Sequence, residues 1–356
     1  MKRFSLPVAL SASVLLMAGC SVVGQFVSAN PDHEPLPSQS PKPLDNFIAA
    51  RRLAWDAAVM VQHPPHPAAT WQEARVKWRQ AIHLLEEISG DPTMTQQAKE
   101  KLAVYRSNYE AISQRLTMEN AAAEHFTTAQ QLAWQSAVTV QNPPHQLPVW
   151  QRASQKWQEA IALLETIPNT ASVFPKSQQK LAVYRDNYRI INQRVAIETQ
   201  AMSTLQQFSN IATFLNSLPS NAVGSTTDKV GIRYDDYANR LHNLEVTLDQ
   251  LASVPGGKTH PVYAHLAAAI ADYQFALTLW QSYLRFKEEN SQWLYNEPFN
   301  QVFPASSNDS EILAQKYQVK TFLDDTRVSL RFSVWAIWQH AGNQVRTAQQ
   351  KALGSS

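Results

Sequence analysis

Ala50, Leu53, Ala54, Ala57, Ala58 and Val61 recur at intervals of three and four, with polar residues between them. That spacing gathers them on one narrow, small-residue face of an α-helix. Pro64-Pro65 removes two backbone donors and ends it. Trp71, Ala74, Trp78, Ala81, Ile82 and Leu85 predict a second helix. Leu102, Tyr105, Tyr109, Ile112 and Leu116 predict a third. All three stripes return at 129–140, 150–164 and 181–195. Neither Pro nor Gly occurs between Thr95 and Gln141, so the third helix is expected to run on into the first helix of the next set. A helix of about 44 residues would be roughly 65 Å long. Residues 178–218 offer a second such span.

The stripes return because the sequence returns. Residues 47–119 align with 126–198 at a constant shift of 79 without a gap, and 35 of the 73 pairs are identical. A fixed period of this kind indicates one structural unit duplicated and stacked on itself. Residues 89–100 share no identity with their counterparts, which marks a loop, because packed faces drift less than connections do. The units are read as 47–125 and 126–204, followed by a divergent region, 205–356. There, 232–251 and 262–289 predict helices on either side of a break at Pro255-Gly256-Gly257. Val254-Pro255 stands where Ile167-Pro168 stood, and Leu266 and Tyr273 keep the seven-residue spacing of Leu181 and Tyr188. This suggests a degenerate third unit or a cap. Residues 298–311 read as a loop. Val328, Leu330, Phe332 and Val334 alternate like a strand, yet Leu330, Val334, Ile337, Ala341, Val345 and Ala348 form a helical stripe. A helix is expected, since a lone strand would lack a partner. The expected fold is all-α: an α-solenoid-like stack on a tandem 79-residue three-helix repeat, with a divergent helical C-terminal region.

The run Trp71-x-x-Ala-x-x-x-Trp78-x-x-Ala-Ile-x-Leu, followed by Lys101-Leu-Ala-x-Tyr-x-x-Asn-Tyr, resembles tetratricopeptide-like helical hairpins. It is similar in particular to units found in cyanobacterial secreted proteins and lipoproteins, and the likeness covers residues 50–200. The unit departs from a true tetratricopeptide, having three helices where the repeat of about 34 residues has two. The resemblance implies a surface for binding other proteins and brings no settled biochemistry with it.

The first twenty residues suggest an address. Lys2 and Arg3 precede an apolar stretch at 4–17, and Met17-Ala18-Gly19-Cys20 follows. This is the order of a secretory signal peptide, 1–19, with an h-region shorter than a membrane span. The small-small-Cys ending resembles a bacterial lipobox with Met17 where Leu is usual. That likeness implies lipid attachment at Cys20, the one cysteine in the chain. The other reading is an ordinary signal peptide with an incidental Cys. By the rule for such lipoproteins, Ser21 favours the periplasmic face of the outer membrane in a Gram-negative-type cell. Pro31, Pro35, Pro37, Pro41 and Pro43 make the stretch after the Cys, 20–46, a semi-extended tether. At ~3.1 Å per residue it reaches up to about 70 Å.

Without Lys2 and Arg3 the chain carries 29 basic and 29 acidic side chains, so it has no electrostatic footprint for nucleic acid. No cofactor or metal is expected. His66 and His145 close two Pro-Pro-His motifs a whole repeat apart, without acidic or Cys neighbours, and are read as satisfying backbone groups at the turn. Asp235-Asp236 and Asp324-Asp325 are adjacent acids, about 100° apart on a helix and poorly placed as acid–base pairs. No catalytic residues are assigned, and an enzyme is not expected, although a site within 220–330 stays open as a third reading. Trp71, Trp78, Trp150 and Trp157 fall on the core stripe, whereas Trp55 and Trp134 lie just beside the Ala stripe and are expected to be semi-exposed. The polar residues kept in both copies have two readings. One is inter-helix bonding, such as Glu86 with Lys101. The other is a repeated partner surface made of Arg106, Arg115, Arg185, Arg194, Asn108 and Asn187 with Trp55 and Trp134. The leading expectation is a lipid-anchored extracytoplasmic scaffold that binds a protein partner. The alternative is binding of an envelope glycan or small molecule through Trp55, Trp134, Trp280, Trp293, Trp335 and Trp338.

Overall fold

The structure, a computed structural model, describes residues 43–218, 232–290, 302–322 and 326–352. The expected signal peptide, Cys20 and most of the expected tether lie outside those residues. The described chain is almost entirely helical. α1 (Pro43–Met60) and α2 (Ala68–Glu86) lead into the long α3 (Pro92–Thr139), and α4 (Leu147–Glu165) leads into α5 (Phe174–Ser217). α6 (Tyr234–Ser253), a 3₁₀ turn (Gly257–Thr259) and α7 (Tyr263–Glu289) follow. A short ribbon, β1 (Val302–Pro304) with β2 (Arg327–Ser329), encloses α8 (Ser307–Tyr317), and α9 (Leu330–Ala352) closes the chain.

The expected long helices are present, but α3 begins at Pro92, so most of the stretch 89–100 expected as a loop is helix. α3 has 48 residues and α5 has 44, so the boundaries at 125/126 and 204/205 fall within helices. Their ends have local causes. Asp91 caps α3 by accepting from the amides of Thr93 at 2.9 Å and Met94 at 3.2 Å, and Pro92 begins the first turn, where no donor is lost. At the α1–α2 turn, Pro64-Pro65 is cis, as is Pro143-Pro144. His66 Nε2 meets Gln62 O at 2.7 Å, Trp71 Nε1 donates to His66 O at 3.0 Å, and His145 and Trp150 make the same contacts at the same distances. Each motif thus ties its own turn.

Three cores follow in chain order. In the first, Ala50, Ala54 and Ala57 of α1 bring the backbone of α2 close at Ala74 and Ala81, while Trp71, Trp78 and Leu85 turn toward α3. The second repeats this with Ala129, Ala133, Ala153, Ala160, Trp150, Trp157 and Leu164. The third is larger and gathers the second half of α5 with α6, α7 and α9. At the α6–α7 corner, Gly256 adopts a left-handed φ of 89°, and a Cβ on Gly257 would lie 1.7 Å from Leu251 O, so no other residue fits that approach.

Two expectations for the C-terminal region need correction. Residues 298–311 are not all loop: 302–304 form β1 and α8 begins at Ser307. The alternation at 328–334 is a strand only over 327–329, paired antiparallel with 302–304, and helix from Leu330 onward. The missing partner strand was inside the supposed loop.

Candidate partner-binding surface

In the first unit α2 packs along both α1 and α3, while α1 and α3 touch each other at few points. A groove of about 500 Å³ opens between them, lined by Ile48, Arg51, Arg52, Ala54, Trp55, Ala58, Trp78 and Tyr105. Its floor is an edge-to-face pair, Trp78 with Tyr105, ring centroids 5.1 Å apart. Trp157 and Tyr184 form the same pair at 5.1 Å in the second unit. Burial raises the Tyr105 hydroxyl pKa, against a smaller lowering by the Arg51 charge, and burial raises that of Tyr184. At the rim Trp55 is 69% exposed and Trp134 63%, more open than the expected semi-exposure. Val59 and Val138, and Val104 and Val183, are also exposed in both units. Five of the eight lining positions keep their residue 79 positions on; the changes are Ile48 to Thr127, Arg51 to Gln130 and Arg52 to Gln131.

The repeated polar residues divide into two groups. Arg106 pairs with Glu86, and Arg185 with Glu165, each at 2.7 Å on the surface. The expected partner of Glu86 is therefore corrected from Lys101 to Arg106, which lies five residues or roughly 7.5 Å further along α3. Arg115 and Arg194 serve inside the stack. Arg115 bonds Glu119 at 2.7 Å, donates to Thr170 Oγ1 at 2.9 Å and to Thr170 O, and lies over the Trp71 ring. Arg194 lies over Trp150 and 3.7 Å from Glu198, which in turn meets His260 at 3.2 Å. Arg115 thus joins one unit directly to the loop that follows the next short helix, and Arg194 does so only through Glu198. Asn108 and Asn187 are half-buried on the third helix of their units.

Trp280 and Trp338 are core residues, enclosed by Tyr237 and its neighbours, and cannot stack on a ligand. Trp335 is partly exposed, while Trp293, Asp324 and Asp325 lie outside the described residues. Asp235 and Asp236 are exposed in the first turn of α6. Among the described residues no group of three or more His, Cys, Asp or Glu could hold a metal, and no helix is long and apolar enough to cross a membrane.

One site escaped sequence reasoning. Asp272, on α7, is fully buried and accepts from Lys316 Nζ at 2.7 Å, Tyr317 Oη at 2.8 Å and His340 Nδ1 at 2.7 Å. A buried acid needs such donors. Its three partners come from α8 and α9, so the carboxylate fastens both to α7. Only the helical period of α7, which puts Asp272 on an apolar face, could have flagged it.

Burial raises the Tyr237 and Tyr273 pKa values well above normal and carries Tyr317 to about 12, with the Asp272 charge adding to each. The unfolded chain ionises these groups near pH 10, so the stability they contribute is intact below pH 10 and lost as pH rises toward about 12. An alkaline titration should show phenolate absorbance from these residues appearing together with loss of helical circular dichroism. Their ionisation at pH 10 in a still-folded chain would contradict this.

Comparison with protein-family models, with curated proteins and with solved structures finds no match for this chain.

Proposed function

We propose that this chain is a lipid-anchored, extracytoplasmic helical scaffold that binds protein partners in the cell envelope. In this reading the stack is α-solenoid-like, built on the tandem 79-residue unit, with Cys20 acylated and the tether holding the grooves away from the bilayer. The outer-membrane periplasmic face is the favoured location in a Gram-negative-type cell. The observation that carries the proposal is the pair of exposed tryptophans. Trp55 and Trp134 stand at equivalent positions, open to solvent, beside equivalent floors. Around them the exposed Arg51 and Arg52 of the first helix have changed to Gln130 and Gln131, while the exposed Val59 is kept as Val138. Packing does not require an exposed Trp, whereas partner surfaces are enriched in it.

The test is a Trp55→Ala/Trp134→Ala chain extracted from its own membranes beside the unchanged chain. Stability should stay within about 0.5 kcal/mol, because neither indole is in the core. A discrete protein cross-linked to the unchanged chain should be lost from the variant. Identical cross-linking patterns would remove the proposal's support. Fatty-acid labelling that survives Cys20→Ser would sink the anchor separately.

A further inference from the structure

The C-terminal core contains a partly covered counterpart of the groove. Phe47, Ala50, Ala54 and Ala57 of α1 correspond, at twice the 79-residue shift, to Leu205, Phe208, Ala212 and Leu215 of α5, all buried. Leu181 and Tyr188 correspond to Leu266 and Tyr273 of α7 by the seven-residue spacing they share. α6 then takes the place of α2 and α4, packed between its neighbours. α5 and α7 scarcely meet, as α1 and α3 scarcely meet, and α9 lies along both of them.

Individual contacts place α9 along one side of the equivalent cleft, while Gln206, Asn210 and Thr213, at the positions of Ile48, Arg52 and Trp55, stay exposed. Gln349 Nε2 donates to Ser209 Oγ at 2.8 Å, and Ser209 holds the position of the groove residue Arg51. Gly342 rests against Asn216, so that a Cβ there would be 2.7 Å from Asn216 Nδ2, and Asn216 holds the position of the groove residue Ala58. Across the cleft His340 bonds Asp272, which holds the position of Asn108 and Asn187. The helix seated there buries one broad face, from Leu330 through Ile337 to Ala348, and presents the other to solvent.

We infer that the open groove of the first unit and the equivalent surface of the second receive an amphipathic α-helix of another protein, packed alongside as α9 is, and that the first groove selects a helix carrying carboxylates. This rests on the scaffold reading above and names its partner chemistry. The charge argument is local. Arg51 and Arg52 are exposed at the first groove and form no ion pair among the described residues, while the second groove has Gln130 and Gln131 there. A carboxylate opposite the arginines gains charge-assisted bonds in the first groove and none of that strength in the second. The floor argues for a rod over a bilayer: Trp78 and Tyr105 are recessed below Trp55, where a flat surface would not reach.

The experiment uses the full chain in its own membranes, with a photo-reactive residue replacing Ile48 or, separately, Thr127. Adducts are mapped by mass spectrometry, and each probe is repeated with Arg51→Glu/Arg52→Glu and with Arg51→Gln/Arg52→Gln. The second pair copies the second groove, so a folded chain is retained even if charge reversal is not tolerated. The expected adduct at 48 is a segment with apolar residues at helical spacing and Asp or Glu beside them. Its yield should fall about tenfold on charge reversal. The yield at 127 should stay within about twofold, since separated sites act independently. A segment without helical spacing, equal losses at both probes, or adducts to lipid alone would overturn the inference. If such a protein segment still depends on Trp55 and Trp134, the scaffold reading survives; if no protein adduct forms and the tryptophan variant loses nothing, both fall.

Discussion

Glu119→Ala is expected to destabilise the folded chain by about 3–5 kcal/mol, while Glu86→Ala costs under about 1 kcal/mol. Both acids pair with an arginine at 2.7 Å, so distance does not separate them. Burial does. Glu86 and Arg106 are largely solvated, and water replaces whatever the pair loses. The Glu119 side chain is 1% exposed and Arg115 17%, so removing the carboxylate leaves a guanidinium with little access to water. It also strips the acceptor from the Ser172 amide at 3.0 Å and the Ser172 hydroxyl at 2.9 Å. Each stranded donor costs about 1–3 kcal/mol. Chemical denaturation of both variants measures the difference. Equal losses would mean that the buried joint is no stronger than a surface pair.

The same substitution should alter shape. Arg115 and Glu119 connect the middle of α3 to the α4–α5 loop, and Trp71 of the first unit lies under the guanidinium. With the joint cut, the second unit is held to the first mainly by the helix they share. The grooves flanking α3 would then vary in relative orientation, which solution scattering detects as a broader distribution of dimensions. On the proposed scaffold reading, two sites at a set separation need that joint.

Helix positions were legible because each depends on a short stretch of sequence. Pro64-Pro65 stops α1 wherever α1 lies, and the lack of Pro and Gly between Thr95 and Gln141 lets α3 continue. α8 was equally local but was overlooked: Ser306 accepts from the Asp309 amide at 3.1 Å and donates to the Asp309 carboxylate at 2.7 Å, a capping pair readable as Ser-x-x-Asp. The roles of polar residues were harder to read, since they depend on what arrives from a distance. Arg106 and Arg115 are nine positions apart on α3, yet one reaches Glu86 at the surface and the other the loop at Thr170. Nothing near either residue in sequence distinguishes them. Trp280 and Trp338 looked available for a ligand because their partner, Tyr237, comes from another helix.

Asp272→Ala is expected to cost about 3 kcal/mol, with the loss concentrated at α8. Lys316 is about half exposed and His340 about one third, so both can turn to water. Tyr317 cannot adapt in that way: it is 8% exposed, stacked on Phe275, and its hydroxyl would be left without an acceptor. Asp272→Asn should recover part of the loss, because the amide oxygen can still accept from one donor while its nitrogen faces the others. Hydrogen exchange should therefore quicken first over Ser307–Tyr317, which is tied to α7 by Lys316 and Tyr317, and later over α9, whose apolar face holds it independently. Loss of protection in α9 ahead of α8 would place the fastening at His340. That bond would then hold α9 in its cleft, and a helix laid against the first two units should carry a hydrogen-bond donor opposite Asn108 and Asn187.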